Sequence, residues 1–243
     1  YPPRTLSYRP ENPIHISEIS PMAFTFDDLQ RACQSEWDAY IKHDFVQQLG
    51  HGTLAEDAFR HYLKQDYLFL IQFGRAYALA AYKSPTLEDL RQAKAGLEAI
   101  IGLELGLHVE YCRQWGISEA ELQELPEGRA TLAYTRYVLD TGNRGDLLDL
   151  HVALVPCLIG YAQIGKWLAQ RSETVRGDSN PYDPWMRMYE SDDFQQAAAA
   201  ELEWLNRELA EISPRRFEQL VRIFRDATRL EIDFWDQGLN QRM

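Results

Sequence analysis

Apolar side chains recur with helical spacing along almost the whole chain from Phe26 onward, and this periodicity limits the possible folds more than any other feature. Alternating β-branched runs and Asn-Gly turns, which indicate strands, are nearly absent. Capping residues, glycines and prolines predict helices at 25–42, 53–83, 86–115, 118–125, 128–140, 146–170, 183–190, 192–211 and from Ser213 onward. With loops between them, of which 43–53 is one, these helices predict a single all-α domain.

The N-terminal segment differs from the rest of the chain. Residues 1–23 are rich in proline and show little periodicity, so we predict an extended arm in front of a helical domain that spans 24–243. The first residues, YPPRTLSYRPENPIH, have no apolar core of the kind that a secretion signal requires.

The net charge and the number of cysteines limit which binding partners and which cellular compartment we expect. The net charge of −12 argues against nucleic acid or an anionic membrane as the main partner. No uninterrupted apolar run reaches the ~18 residues that predict a transmembrane helix. The three cysteines, Cys33, Cys112 and Cys157, are too few for a disulfide framework, so we expect free thiols and a cytoplasmic location. For each cysteine alone, the ordinary role is that of a small buried hydrophobic side chain.

A proline stands inside the apolar run of the 146–170 helix and directly precedes a cysteine. A proline in a helix interior costs about 3 kcal/mol and frees a backbone carbonyl, so Pro156 should kink the helix at the turn that carries Cys157. Cys157 and Tyr161 are four residues apart, and they therefore share one face of the helix.

Two acidic residues fall on apolar helix faces. Asp66 follows Tyr62 by four residues in the 53–83 helix, and Glu231 lies in the apolar stripe of the last helix, flanked by aromatic residues. A buried ionised carboxylate is expensive unless something binds it, so each acid has either a structural partner or a ligand. For Asp66 that partner could be an arginine or a tyrosine hydroxyl. A carboxyl held among aromatic rings could also act as a general acid, because desolvation raises its pKa.

Glu104 and His108 form a Glu-x-x-x-His pair on one helix, which raises the question of a metal site. A di-iron bundle uses Glu-x-x-His, usually twice, and no second copy is present. A structural His–Glu pair is therefore favoured over a metal site. The sequence shows neither a nucleophile context for a Ser-His-Asp triad nor a phosphate-binding glycine loop.

Six segments together resemble the TenA/thiaminase II family in their order and spacing. They read HDFVQQLGHGTL, FRHYLKQDYLFLIQFGRAYALA, LHVEYCRQWGI, LVPCLIGYAQIG, YDPWMRMYESDDF and LEIDFWD. The resemblance covers roughly residues 26–238. The combination of Gln-Asp-Tyr, Pro-Cys and Glu-x-x-Phe-Trp is specific, whereas each motif alone is weak.

The resemblance implies a haem-oxygenase-like all-α fold without haem, no metal and no cofactor, and a homotetramer. It implies hydrolysis of 4-amino-5-aminomethyl-2-methylpyrimidine to the hydroxymethyl pyrimidine and ammonia in thiamin salvage, and many family members also cleave thiamin. Residue by residue, Cys157 resembles the nucleophile, Glu231 the acid, and Asp66 the carboxylate that grips the aminopyrimidine ring. The matching aromatic residues are Phe69 and Tyr161, which sandwich the ring, and Tyr134 and Tyr189, near the cysteine and the leaving group.

Two other functions remain open at this point. One is a metal- or cofactor-dependent oxidase on the same fold, which Glu104 and His108 motivate. The other is a non-catalytic protein that holds a pyrimidine. Both compete with the cysteine-dependent hydrolase, which is favoured because Cys157, Asp66 and Glu231 occur together on inward faces.

Overall fold

The computed structural model describes residues 23–243, and the predicted arm falls outside these residues except for Ala23. Every regular element in the described part is helical, as predicted. The α-helices are α1 (Phe26–Ala32), α2 (Gln34–Ile41), α3 (Asp44–His51), α4 (Glu56–Lys83), α5 (Leu87–Glu98), α6 (Leu105–Gln114), α7 (Glu119–Gln123), α8 (Arg129–Arg144), α9 (Leu147–Gln170), α10 (Asp183–Glu190), α11 (Asp192–Ala210) and α12 (Pro214–Asn240). A π-helical segment at Ala99–Glu104 and a short 3₁₀ turn at Gly177–Ser179 complete the set.

Four long helices, α4, α8, α9 and α12, form the centre of the fold, and each packs against the other three. Helices α10 and α11 cover α9, whereas α5, the π-helical segment and α6 cover α4. The predicted site residues are distributed over these elements, so the fold has to bring α4, α8, α9, α10 and α12 together to form one site.

The prediction of a loop at 43–53 was wrong, because Asp44–His51 forms α3. The ring Nδ1 of His43 accepts a hydrogen bond from the Phe45 N–H and starts this helix. Gly52, at φ +69°, ends it in the left-handed region. The next helix begins at Glu56 after Ala55, so the helix start predicted at residue 53 was also wrong.

Two other predicted helices differ from the observed ones in their boundaries. The helix predicted at 25–42 is divided at Cys33, which leaves helical geometry. Helix α8 continues to Arg144, beyond the end predicted at residue 140. Gly142 does not break this helix; it allows close packing, because a Cβ there would lie 2.7 Å from a methyl carbon of Leu150.

The helix predicted at 86–115 is helical throughout but contains the π-helical segment between α5 and α6. Such insertions are rare and occur frequently at functional sites. Glu104, at the end of the segment, is 7% exposed and points into the interior.

Helix α9 passes through the core, and Pro156 lies inside it without interrupting it. By length and apolar composition alone (mean hydropathy 1.6 over its most apolar window) α9 could cross a membrane, but 78% of that window is buried in the protein. Its apolar surface is therefore covered by the neighbouring helices.

Candidate active site

The structure buries all seven predicted site residues. Tyr134 and Tyr189 have no measurable exposure, and Cys157, the most accessible of the seven, is 7% exposed. Hydrogen bonds and ring contacts connect most of them, and the carboxyls of Asp66, Glu104 and Glu231 all act electrostatically on Cys157. Helices that are far apart in sequence thus converge on one buried polar centre.

Glu231 on α12 is held by a tyrosine from α8. The Tyr134 hydroxyl donates a hydrogen bond of 2.9 Å to Glu231 Oε1. Burial raises the pKa of Glu231 to about 8, the Tyr134 hydrogen bond opposes this rise, and the charges of Asp66 and Glu104 add to it. Glu231 therefore carries a proton at neutral pH, as expected of a general acid.

Asp66 on α4 has two partners, both directed to the same carboxylate oxygen. The Tyr62 hydroxyl donates to Oδ2 at 3.0 Å, and His108 Nε2 lies 2.5 Å from Oδ2. The expected tyrosine partner is present. The imidazole partner was missed, because His108 is 42 residues away in sequence and was paired with Glu104.

The predicted structural pair between the side chains of Glu104 and His108 is wrong. His108 Nδ1 bonds the backbone carbonyl oxygen of Glu104 at 2.7 Å. The Glu104 carboxylate instead accepts a hydrogen bond of 2.9 Å from the Tyr189 hydroxyl. Burial raises the pKa of Glu104 to about 7, with an added rise from Asp66 that His108 and Tyr189 oppose. Glu104 is thus a second titratable carboxyl of the centre.

The thiol of Cys157 is protonated at neutral pH. Burial raises its pKa well above the ordinary value, and the charges of Glu231, Glu104 and Asp66 raise it further. A reaction at this sulfur therefore requires a group that takes the thiol proton, and the centre contains carboxylates that could do so.

Phe69 and Tyr161 lie in different parts of the aromatic lining. Phe69 packs against Tyr134, with ring centroids 5.0 Å apart. Tyr161 packs against Tyr189 at 4.8 Å, and its hydroxyl is 3.4 Å from that of Tyr62. Both rings belong to the same buried centre, one from α4 and one from α9.

A pocket of about 430 Å³ opens beside the centre, between α5, the π-helical segment, α9, α10 and α11. Tyr77 and Glu104 line it, together with mostly apolar side chains. Leu158, the residue after Cys157, also lines the pocket, so the turn of α9 that carries the thiol lies beside it. Only the tertiary structure reveals this pocket, because its lining comes from separate parts of the chain.

The described residues 23–243 contain no group of three or more His, Cys, Asp or Glu side chains that could hold a metal ion. His108 already uses both ring nitrogens in hydrogen bonds within the protein. The Glu104 and His108 pattern that motivated a metal-dependent oxidase therefore serves the buried hydrogen-bond network.

Comparisons with known proteins found a matching family model, related sequences and similar crystal structures. A family model described as the TENA/THI-4/PQQC family matches residues 30–241. The aminopyrimidine aminohydrolase of Halalkalibacterium halodurans is 36% identical, over 88% of this chain and 95% of the relative. A crystal structure of a TenA family transcription regulator from Silicibacter sp. TM1040 is 40% identical, with a TM-score of 0.82, over 90% of this chain and 98% of that one.

A more distant structure bears on the fold alone. A domain with a haem-oxygenase-like fold from Shewanella denitrificans is 14% identical, with a TM-score of 0.70, over 90% of this chain and 93% of that one. The predicted haem-oxygenase-like all-α fold is thereby confirmed.

Proposed function

The chain belongs to the TENA/THI-4/PQQC family, and we propose that it is an aminopyrimidine aminohydrolase of thiamin salvage that uses Cys157 as its nucleophile. The observation that carries the proposal is the convergence of Cys157 with the protonated Glu231 and the histidine-paired Asp66 in one buried centre. The family and the relative from Halalkalibacterium halodurans support hydrolysis in thiamin salvage. The geometry of the buried centre supports the dependence on cysteine.

The substrate's chemistry fits the side chains of the centre. An aminopyrimidine ring is flat and electron-poor, so aromatic faces such as those of Phe69 and Tyr161 suit its plane. Its amino group and ring nitrogen form an amidine-like edge, which a carboxylate such as Asp66 suits. We assign ring binding to these three residues.

The proposed reaction uses one carboxylate as the base and one carboxylic acid as the proton donor. The sulfur of Cys157 forms a bond to a ring carbon while its proton passes to the carboxylate of Glu104, whose pKa of about 7 leaves part of it ionised at neutral pH. The electron pair displaced in the ring expels the exocyclic amine as the C–N bond breaks, and the protonated Glu231 gives its proton to the departing nitrogen. Water then adds to the exocyclic carbon and gives a proton to Glu231, the sulfur–carbon bond breaks, and Glu104 returns its proton to the sulfur. The products are the hydroxymethyl pyrimidine and ammonia.

The test is ammonia release from 4-amino-5-aminomethyl-2-methylpyrimidine by the wild type and by Cys157→Ala. We expect the variant to lose turnover. Cys112→Ala is the matched control, because Cys112 is also a buried free cysteine, but among the described residues the only charged group that acts on its pKa is Lys64 and not a carboxyl of the centre. Equal turnover by wild type and Cys157→Ala would exclude the nucleophilic role. Binding without turnover by the wild type would instead support the non-catalytic alternative.

Location and assembly are further parts of the proposal. All three cysteines are free and buried, which supports a reducing, cytoplasmic location. The homotetramer stays a prediction from the family resemblance, and sedimentation would test it. Cleavage of thiamin itself is a second substrate to assay with the same variants.

A further inference from the structure

The carboxylate assigned to ring binding, Asp66, is paired with an imidazole deep inside the protein. The His108 side chain has no measurable exposure and that of Asp66 is 5% exposed. Because the two groups come from α6 and α4, they face each other only in the folded protein. Their hydrogen bonds determine where the protons of this pair lie.

His108 Nδ1 carries a proton, because its partner is a backbone carbonyl. The distance from Nδ1 to the Glu104 carbonyl oxygen is 2.7 Å, and a carbonyl oxygen only accepts hydrogen bonds. The contact of 2.5 Å between Nε2 and Asp66 Oδ2 holds a second proton, since two lone pairs would repel each other there. The pair is therefore either imidazolium with carboxylate or neutral imidazole with carboxylic acid.

The surrounding groups favour the charged form. The Tyr62 hydroxyl also donates to Asp66 Oδ2, which suits a carboxylate oxygen. Although burial lowers the pKa of His108, Asp66 raises it overall, and Glu104 adds to the rise. The other titratable groups that act on this cluster are Glu231, Cys157, Tyr161 and Tyr189, from α12, α9 and α10. Of these described groups, only His108 becomes positively charged on protonation.

The same contacts leave the two carboxylate oxygens of Asp66 unequal. Oδ2 accepts from His108 and from Tyr62, whereas Oδ1 receives no hydrogen bond from any residue in the described part of the chain. Oδ1 is thus the oxygen available to a ligand.

From this geometry, and resting on the proposed function, we propose that His108 is the positioning residue of ring recognition. As an imidazolium it fixes the Asp66 carboxylate through Oδ2, so that Oδ1 accepts a hydrogen bond from the amino group of the pyrimidine. His108 acts through Asp66 and does not touch the substrate.

Two measurements test this proposal in the full-length protein. The first is the nitrogen-15 spectrum of the His108 ring, for which we expect both nitrogens to be protonated at pH 7. The second is the affinity for 4-amino-5-hydroxymethyl-2-methylpyrimidine, measured by calorimetry between pH 5.5 and 8. His108→Gln keeps an N–H donor near Asp66 but removes the charge, so its affinity should fall by about tenfold or more and lose the pH dependence that titration of His108 gives the wild type.

His151→Gln is the matched control, because His151 Nδ1 also pairs with a buried carboxylate, that of Glu201, at 2.5 Å. We expect its affinity to equal that of the wild type, which separates loss of ring recognition from general loss of a buried ion pair. A neutral His108 ring at pH 7, or a wild-type affinity in His108→Gln, would overturn the proposal. A wild type that neither binds nor turns over the pyrimidines would contradict the proposed function, whereas the nitrogen spectrum would still decide the charge of His108.

Discussion

The hydroxyl of Tyr40 donates a hydrogen bond of 3.1 Å to the carbonyl oxygen of Pro156. The two residues are 116 positions apart, and the contact fastens α2 to the turn of α9 that carries Cys157. The Tyr40 ring reaches this carbonyl because residue 160 is glycine: a Cβ there would lie 2.3 Å from a ring carbon of Tyr40. The helix turn that carries the proposed nucleophile is thus held by a residue of another helix.

We expect Gly160→Ala to disturb this turn. The added methyl group overlaps the Tyr40 ring, and overpacking of this kind costs about 1–3 kcal/mol. The free energy of unfolding, measured by denaturant titration, should fall by that amount, and turnover should fall with it. Gly106→Ala is the control, because Gly106 lies in α6 with nothing within 4 Å of an added Cβ. Equal stability of the two variants would contradict the argument.

Pro156→Ala separates the role of the proline ring from that of its carbonyl. Alanine keeps the carbonyl that Tyr40 binds but restores a backbone N–H to the helix, which should raise stability by up to ~3 kcal/mol. If the proline aims the sulfur of Cys157, kcat should fall even though the protein is more stable. Unchanged turnover in Pro156→Ala would show that the proline is merely tolerated.

Glu231→Gln should remove proton transfer while preserving the shape of the site. A positioned acid or base contributes about 10²–10⁴-fold to a rate, so we expect kcat for ammonia release to fall within that range. The affinity for the hydroxymethyl pyrimidine should change little, because Asp66 is the residue assigned to the ring. A rise in KM with an unchanged kcat would show that Glu231 binds the substrate and takes no part in the chemical step.

The two buried glutamates predict that stability falls as pH rises. Their ordinary pKa of 4.5 is raised in the folded protein to about 7 for Glu104 and about 8 for Glu231. Between pH 4.5 and 8 the unfolded chain loses these protons before the folded protein does, so their contribution to the free energy of unfolding decreases, by about 1.4 kcal/mol for each unit by which a pKa is raised.

The check is the urea midpoint of the wild type and of Glu231→Gln at pH 5, 7 and 8. The amide is neutral at every pH, so the variant should gain stability relative to the wild type as pH rises. Glu218→Gln on the same helix is the control, since Glu218 is exposed. A constant difference between wild type and Glu231→Gln across this range would refute the raised pKa.

The pocket beside Glu104 predicts a route to the centre. Ala197 lines it, so Ala197→Trp should obstruct it and lower kcat/KM for the aminopyrimidine by about tenfold or more. Ala199 lies two positions further along α11, is exposed and does not line the pocket, so Ala199→Trp is the control. Equal kcat/KM values for the two variants would mean that substrate enters elsewhere.

Local sequence signals determined much of the fold. The helix starts predicted at 86, 118, 146 and 213 were confirmed, and Thr86, Ser118, Asp146 and Ser213 cap them. Such caps can be read from sequence because each depends on a side chain within three residues of the backbone group it binds. The inward positions of Asp66, Cys157 and Glu231 followed from helical periodicity in the same way. Glycine was the least reliable signal, since Gly142 serves close packing and does not end a helix.

The tertiary structure alone decided which polar groups meet. Helical spacing paired Glu104 with His108. In the folded chain the His108 ring instead bonds the Asp66 carboxylate, and the Glu104 carboxylate accepts a hydrogen bond from Tyr189. The fold also brings the Tyr134 hydroxyl into hydrogen-bond contact with the Glu231 carboxylate, and the Tyr40 hydroxyl with the Pro156 carbonyl. Periodicity specifies which face of a helix turns inward, whereas the partner found there depends on how distant helices pack. The sequence by itself therefore determined an all-α domain with buried acids and a buried thiol, and the packing of α2, α4, α6, α8, α9, α10 and α12 joined them into one buried, hydrogen-bonded polar centre.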